Sequence, residues 1–142
     1  MECLVFAKLK KQIVRETEIK NLIWKIFKIL KKDGTLSIHL VGEKKIKSLN
    51  KLYRGFDKVT DVLSFATEDE VFFKKTERDY GDIFICEKQI VRQAKDYKIS
   101  EKEELVRMLV HGVLHLVGYD HLKEPEAKIM FDLQEKLLKK II

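Results

Sequence analysis

Proline is almost absent from this chain of 142 residues, which carries one proline, six glycines and two cysteines. So little proline and glycine leaves no room for a flexible linker, and neither a low-complexity tract nor an internal repeat occurs. One domain spanning residues 1–142 is expected, long enough to bury a core without covalent staples. Cys3 and Cys86 lie far apart in the apolar contexts CLVFA and DIFIC. That spacing excludes a CxxC site and a disulfide framework, and free cysteine in such surroundings usually behaves as a buried apolar group. No apolar run approaches the ~20 residues that cross a bilayer. The N-terminal MECLVFAKLKK has too short an apolar run, wrongly flanked, for a secretory signal. The expected location is therefore the cytoplasm, with no membrane partner.

Charge is plentiful but uneven. Charged residues make up 37% of the chain against 45% hydrophobic ones, with a net charge of +6. Residues 1–58 hold 15 Lys and Arg against 6 Asp and Glu, whereas residues 59–142 hold 14 against 17. A polyanion such as nucleic acid would be drawn to the first half; the competing reading is that these lysines only solvate helix faces.

Four short runs have strand character: 3–7, 36–41, 61–66 and 82–86. Helical periodicity fills most of the remainder. Residues 17–32 place Ile19, Leu22, Ile23, Ile26, Phe27 and Leu30 on one stripe before a stop at Asp33-Gly34, and residues 43–53 continue with Ile46, Leu49 and Leu52. A third helix suits residues 87–97. A fourth opens on Ser100 with the capping box Ser-Glu-Lys-Glu, and a fifth starts at Pro125 with Met130, Leu133, Leu137 and Ile141 inward. The intermixed order predicts an α/β (α+β) fold, one sheet of about four strands covered by about five helices.

Three of the four histidines fall within HGVLHLVGYDH, residues 111–121. At about 100° per residue, His111 and His115 project from one helix face about 40° apart, as two ligands of one ion must. A continued helix would point His121 about 240° away from His115. Gly118 supplies the stop, because glycine accepts the left-handed backbone that ends a helix and lets the chain return His121 toward the pair. A metal site at the end of a helix in the C-terminal half is expected, with His111, His115 and His121 as ligands. Three neutral imidazoles suit one tetrahedral Zn²⁺ per chain with a fourth position open, the pattern of a catalytic site; another divalent transition metal remains possible. Asp120 either orients a ligand or makes a turn. In metalloproteases of related spacing a glutamate follows the first histidine, and here Gly112 stands in its place, which argues against peptide hydrolysis.

HGVLHLVGYDH resembles the signature of the YbeY family of bacterial rRNA-maturing, metal-dependent endoribonucleases. LNKLYRGFDKVTDVLSFA, residues 49–66, is similar to the family segment L-N-x-x-[YF]-R-x-x-[DN]-x-x-T-D-V-L-S-F-P, and GDIFIC, residues 81–86, resembles its G-D-I-x-I strand. Residues 1–48 match only in general pattern, and Ala66 stands where the family usually has proline. The resemblance implies that His111, His115 and His121 bind the metal and that Arg54, with His115, serves catalysis. It implies a single-strand-directed endoribonuclease that matures the 3′ end of small-subunit rRNA and acts in ribosome quality control. The implied partners are rRNA and the ribosome or its small subunit, with no DNA specificity. Water and the RNA's own 2′-hydroxyl both stand as possible nucleophiles.

Thr60 and Asp61 suit a turn and Ser64 an alternating strand, so a structural role is expected for each. His39, alone between apolar neighbours, reads as a bystander, and Tyr119 as a wall of the pocket. Two other functions fit parts of the pattern. A hydrolase of another substrate, such as peptide, would share the open metal site without needing the basic first half. A zinc-stabilised ribosome-assembly binding factor would want a fourth ligand, which the spacing does not supply.

Overall fold

A computed structural model describes residues 1–7, 12–66, 79–119 and 124–142. Within them, β1 (Glu2–Ala7), β2 (Thr35–Val41), β3 (Val62–Ala66) and β4 (Asp79–Cys86) form one sheet in the order β1-β2-β4-β3. The β1–β2 and β2–β4 pairs are parallel and β3–β4 is antiparallel. Five helices accompany them: α1 (Glu16–Leu30), α2 (Glu43–Arg54), α3 (Glu87–Tyr97), α4 (Glu101–Leu116) and α5 (Glu126–Ile141). This is the α+β architecture read from the sequence.

Strand alternation gives the sheet two working faces. Leu36, Ile38 and Leu40 of β2 and Ile83 and Ile85 of β4 point into the main core, against Ile19, Ile23, Ile26 and Phe27 of α1 and the apolar side of α4. On the opposite face a smaller core joins Leu63, Phe65 and Cys86 to Ile46 of α2. Strand β3 thus lies between two helices, α4 on one face and α2 on the other. The nine buried positions of α4, Leu105, Leu109 and Val113 among them, make it the central helix. Each fully buried Leu or Val contributes about 1.5–3 kcal/mol relative to exposure, which fixes the helix that carries His111 and His115.

Two details of the sequence reading need correction. Leu52 does not extend the α2 stripe and is 73% exposed. Six residues beyond Ile46 it lies about 240° around the helix, and the inward position falls to Asn50 instead. Helix α1 ends before Asp33-Gly34: Lys31 adopts the left-handed conformation at φ 56° and the Lys32 N–H bonds back to the Phe27 carbonyl. The Ser100 cap is as expected, its Oγ accepting from the Glu103 N–H at 3.0 Å. Cys86 is buried and Cys3 partly so, both as free thiols, and burial pushes the Cys3 thiol up to about 11.

Candidate active site

His111 and His115 sit one turn apart on α4 with ring centroids 5.2 Å apart and planes inclined by 70°. Both line a cleft of about 340 Å³ together with Arg54, Asn50, Phe56 and residues 60–64. Two residues more than fifty positions apart in sequence, Arg54 and His111, thus share one cavity. His121 and Asp120 fall outside the described residues. Among the described residues no group of three or more His, Cys, Asp or Glu side chains is placed to hold a metal. As far as Tyr119, α4 stops at Leu116, Gly118 takes φ +109°, and the Tyr119 N–H bonds to the Leu114 carbonyl at 2.9 Å. Tyr119 packs, partly buried, against the main core and is not among the described residues that line the cleft.

The tautomer of His111 follows from its neighbours. Its Nδ1 lies 2.7 Å from Gln134 Oε1, while Gln134 Nε2 lies 3.1 Å from Glu135 Oε2. An ionised carboxylate only accepts, so the amide must offer its NH₂ to Glu135 and its oxygen to His111; Nδ1–H is then the donor. A neutral His111 so protonated carries its lone pair on Nε2, the tautomer that a hydrogen-bonding partner selects in metal-binding imidazoles. Glu135 is itself fixed by Arg107, whose Nε and Nη2 reach its two oxygens at 3.0 and 3.1 Å. That hydrogen bonding, chiefly, holds the Glu135 carboxyl below and the Arg107 guanidinium above their ordinary values. Arg107 Nη1 also donates to buried Glu104 at 3.1 Å, and Gln93 Nε2 bridges Glu104 at 2.8 Å and Asp61 at 3.1 Å. A polar network therefore runs from His111 to the base of β3.

Gly112 explains why no glutamate follows His111. A Cβ placed there would lie 3.0 Å from Ile83 Cδ1 and Cγ2 and 3.1 Å from Ser64 Oγ. Helix α4 rests directly on β3 and β4 at this point. No longer side chain fits between them.

Arg54 occupies the last turn of α2, beside the left-handed Gly55 at φ +77°. Its Nη2 donates to the Ser64 carbonyl at 3.0 Å and its guanidinium carbon stands 5.7 Å from the Phe65 ring centroid. One donor of five is so used, and the side chain stays exposed at the cleft. Ser64 Oγ in turn donates to the Gly112 carbonyl at 3.4 Å. Asp61 accepts from the Val62 N–H at 2.7 Å and from Thr60 Oγ1 at 3.3 Å, and Asn50 Nδ2 donates to the Lys58 carbonyl at 3.0 Å. These contacts shape the loop between α2 and β3. Gln134 escaped the sequence reading, although a polar residue on the inner stripe of α5 was its signal. His39, read as a bystander, meets Asp82, Phe6 and Phe84.

The residues present fit a transition metal: two imidazoles on one helix face, one with its tautomer fixed from behind, open to a cleft bordered by a guanidinium. The family model described as Endoribonuclease YbeY matches residues 5–142. The chain is 40% identical over 124 residues to the endoribonuclease YbeY of Acholeplasma laidlawii, a match covering 87% of each protein. It is 42% identical over 125 residues to that of a Sulfurihydrogenibium species, covering 87% of this chain and 81% of the relative. In structure it is similar to a protein of Thermotoga maritima solved in solution, with a TM-score of 0.67 and 30% identity over 99% of this chain and 89% of that one.

Proposed function

The chain belongs to the endoribonuclease YbeY family and is by that membership an RNA-cleaving hydrolase, and we propose that it cuts single-stranded RNA as a metal-dependent enzyme in rRNA maturation. His111, His115 and His121 hold the metal, Zn²⁺ by the chemistry of the donor set. The observation that carries this reading is the cleft shared by Arg54, His111 and His115. A bound Zn²⁺ would supply Lewis acidity at the scissile phosphodiester.

The chain's own residues do the rest. Arg54 is tethered through Nη2 to Ser64, which leaves its other donors for two non-bridging phosphate oxygens. A cation so anchored stabilises charge that grows on phosphorus without reorganising during the reaction. Gln134 keeps the His111 proton on Nδ1. With Gly112 in place of a glutamate, α4 offers no carboxylate base at that position, which sets the site apart from peptide-cleaving relatives of the motif. Among the described residues no helix is long and apolar enough to cross a membrane. Cytoplasmic action on small-subunit rRNA 3′ ends, in contact with the ribosome, is the setting that the family and the basic first half favour.

The test is to incubate metal-loaded protein with unstructured RNA and with unstructured peptide, each beside the His115→Ala variant. RNA cleavage that disappears in the variant, with peptide intact throughout, is expected. RNA cleavage that persists in the variant belongs to a contaminant and would overturn the assignment.

A further inference from the structure

The face of the sheet turned away from the main core carries an aromatic row that the cleavage cleft does not use. Phe6, His39 and Phe84 are register partners on β1, β2 and β4. Their rings stack in parallel, 5.0 Å and 12° between Phe6 and His39, 4.3 Å and 10° between His39 and Phe84. Asp82 Oδ1 accepts from His39 Nε2 at 2.8 Å and fixes the middle ring. Among the described residues β1 is the edge strand, so the stack ends at Phe6, which is 50% exposed.

These rings line a cleft of about 490 Å³ whose other wall includes Gly42 and Lys45, at the start of α2. The end of the same helix carries Asn50 and Arg54 into the cleavage cleft. Helix α2, twelve residues and about 18 Å long, thus runs from one cleft to the other. Between them α2 exposes Lys44, Lys47 and Lys51, and its acidic residue, Glu43, is engaged by Arg92. Beneath the helix the aromatic packing continues, Phe84 against Phe65 and Phe65 against Tyr53, which seats α2 on the sheet.

We propose that the Phe6–His39–Phe84 face is an accessory track for single-stranded RNA. An unpaired base extends the stack on Phe6, Lys45 meets a neighbouring phosphate, and the strand follows the α2 lysines to Arg54. Stacked aromatics beside a line of cations are what sequence-tolerant binding of unpaired nucleic acid requires. The track rests on the endoribonuclease reading for its occupant, and it adds a length dependence that the cleavage cleft alone does not predict.

The experiment compares single-stranded oligoribonucleotides of about four and about twelve nucleotides, the range that one such module covers. Wild type is expected to show a lower KM for the longer one. Phe6→Leu, which keeps the bulk and removes the π-face, should raise that KM about tenfold with kcat unchanged and the short substrate unaffected, and Phe6→Trp should restore it. Lys45→Ala should flatten the salt dependence of the long substrate by about one unit of slope. Binding of uncleavable 2′-O-methyl phosphorothioate oligomers reads the track apart from catalysis. If Phe6→Leu weakens long and short oligomers alike, or neither, the track is overturned while the cleavage reading stands. If the long oligomer binds through Phe6 and wild type cuts no RNA, the track stands and the cleavage assignment falls.

Discussion

Arg54 Nη2 and the Ser64 carbonyl oxygen are joined by a 3.0 Å hydrogen bond that crosses the edge of the sheet. Because the hydroxyl of Ser64 reaches the Gly112 carbonyl on the other side, one residue of β3 links the guanidinium to the histidine helix. The arginine is thereby held by β3 and the imidazoles by α4, so its chemistry is separable from the proposed metal binding.

Arg54→Ala should leave metal content and thermal stability near wild type and slow RNA cleavage by about a hundredfold, the scale of one charge-stabilising group aimed at a transition state. Arg54→Lys should recover part of the rate, since it keeps the charge and loses the planar fork. Single-turnover rates at saturating enzyme measure both. Wild-type rates in the two variants would make Arg54 a surface residue.

Gln134→Leu removes the acceptor that holds the His111 proton on Nδ1. Zinc affinity should weaken by about 10- to 100-fold, the usual effect of losing an outer partner of a ligating histidine. Competition against a chromophoric chelator reads this directly. Unchanged affinity would show that His111 needs no orienting partner.

Gly112→Ala tests the contact between α4 and the sheet. Alanine normally stabilises a helix by about 1 kcal/mol over glycine. Here the added methyl meets Ile83 and Ser64 at 3.0–3.1 Å, and overpacking should reverse the sign to a loss of about 1–3 kcal/mol. Ile83→Val in the same chain removes one of the two clashing carbons and should return part of the loss, a non-additivity visible in urea unfolding.

Glu87 supplies the pH dependence. It is buried, one oxygen accepting from the Ile13 N–H at 2.9 Å and the other, Oε1, without a hydrogen-bond partner among the described residues. Burial, chiefly, raises its carboxyl above the ordinary 4.5. A raised carboxyl favours the folded state while protonated, so its contribution is full below 4.5 and is lost as pH rises through the folded value. Glu87→Gln should therefore gain stability relative to wild type with increasing pH across that window. A difference independent of pH between 4 and about 8 would contradict it.

What the sequence disclosed was what a local period encodes. His111 and His115 share a face because four residues make about one turn, and Gly118 ends the helix by a property of its own backbone. The same reasoning misplaced Leu52, since counting by threes drifts around a helix that turns every 3.6 residues. Partners brought together by tertiary packing were illegible: Gln134 stands 23 residues from His111 on another helix, and Asp82 lies 43 residues from His39. Arg54 emerged only from resemblance, because nothing near it in sequence announces that Ser64 will receive it.

The two helices that frame the cleft grip opposite faces of β3, α2 through Leu63 and Phe65 and α4 through Ser64. The spacing between arginine and imidazoles is accordingly gauged by the thickness of a single strand, a dimension that thermal motion hardly changes. A substrate phosphate then meets a jaw of fixed gape. The proposed preference for unpaired RNA would then come from which strands are supple enough to enter, paired RNA being kept out by its own stiffness before any base is read.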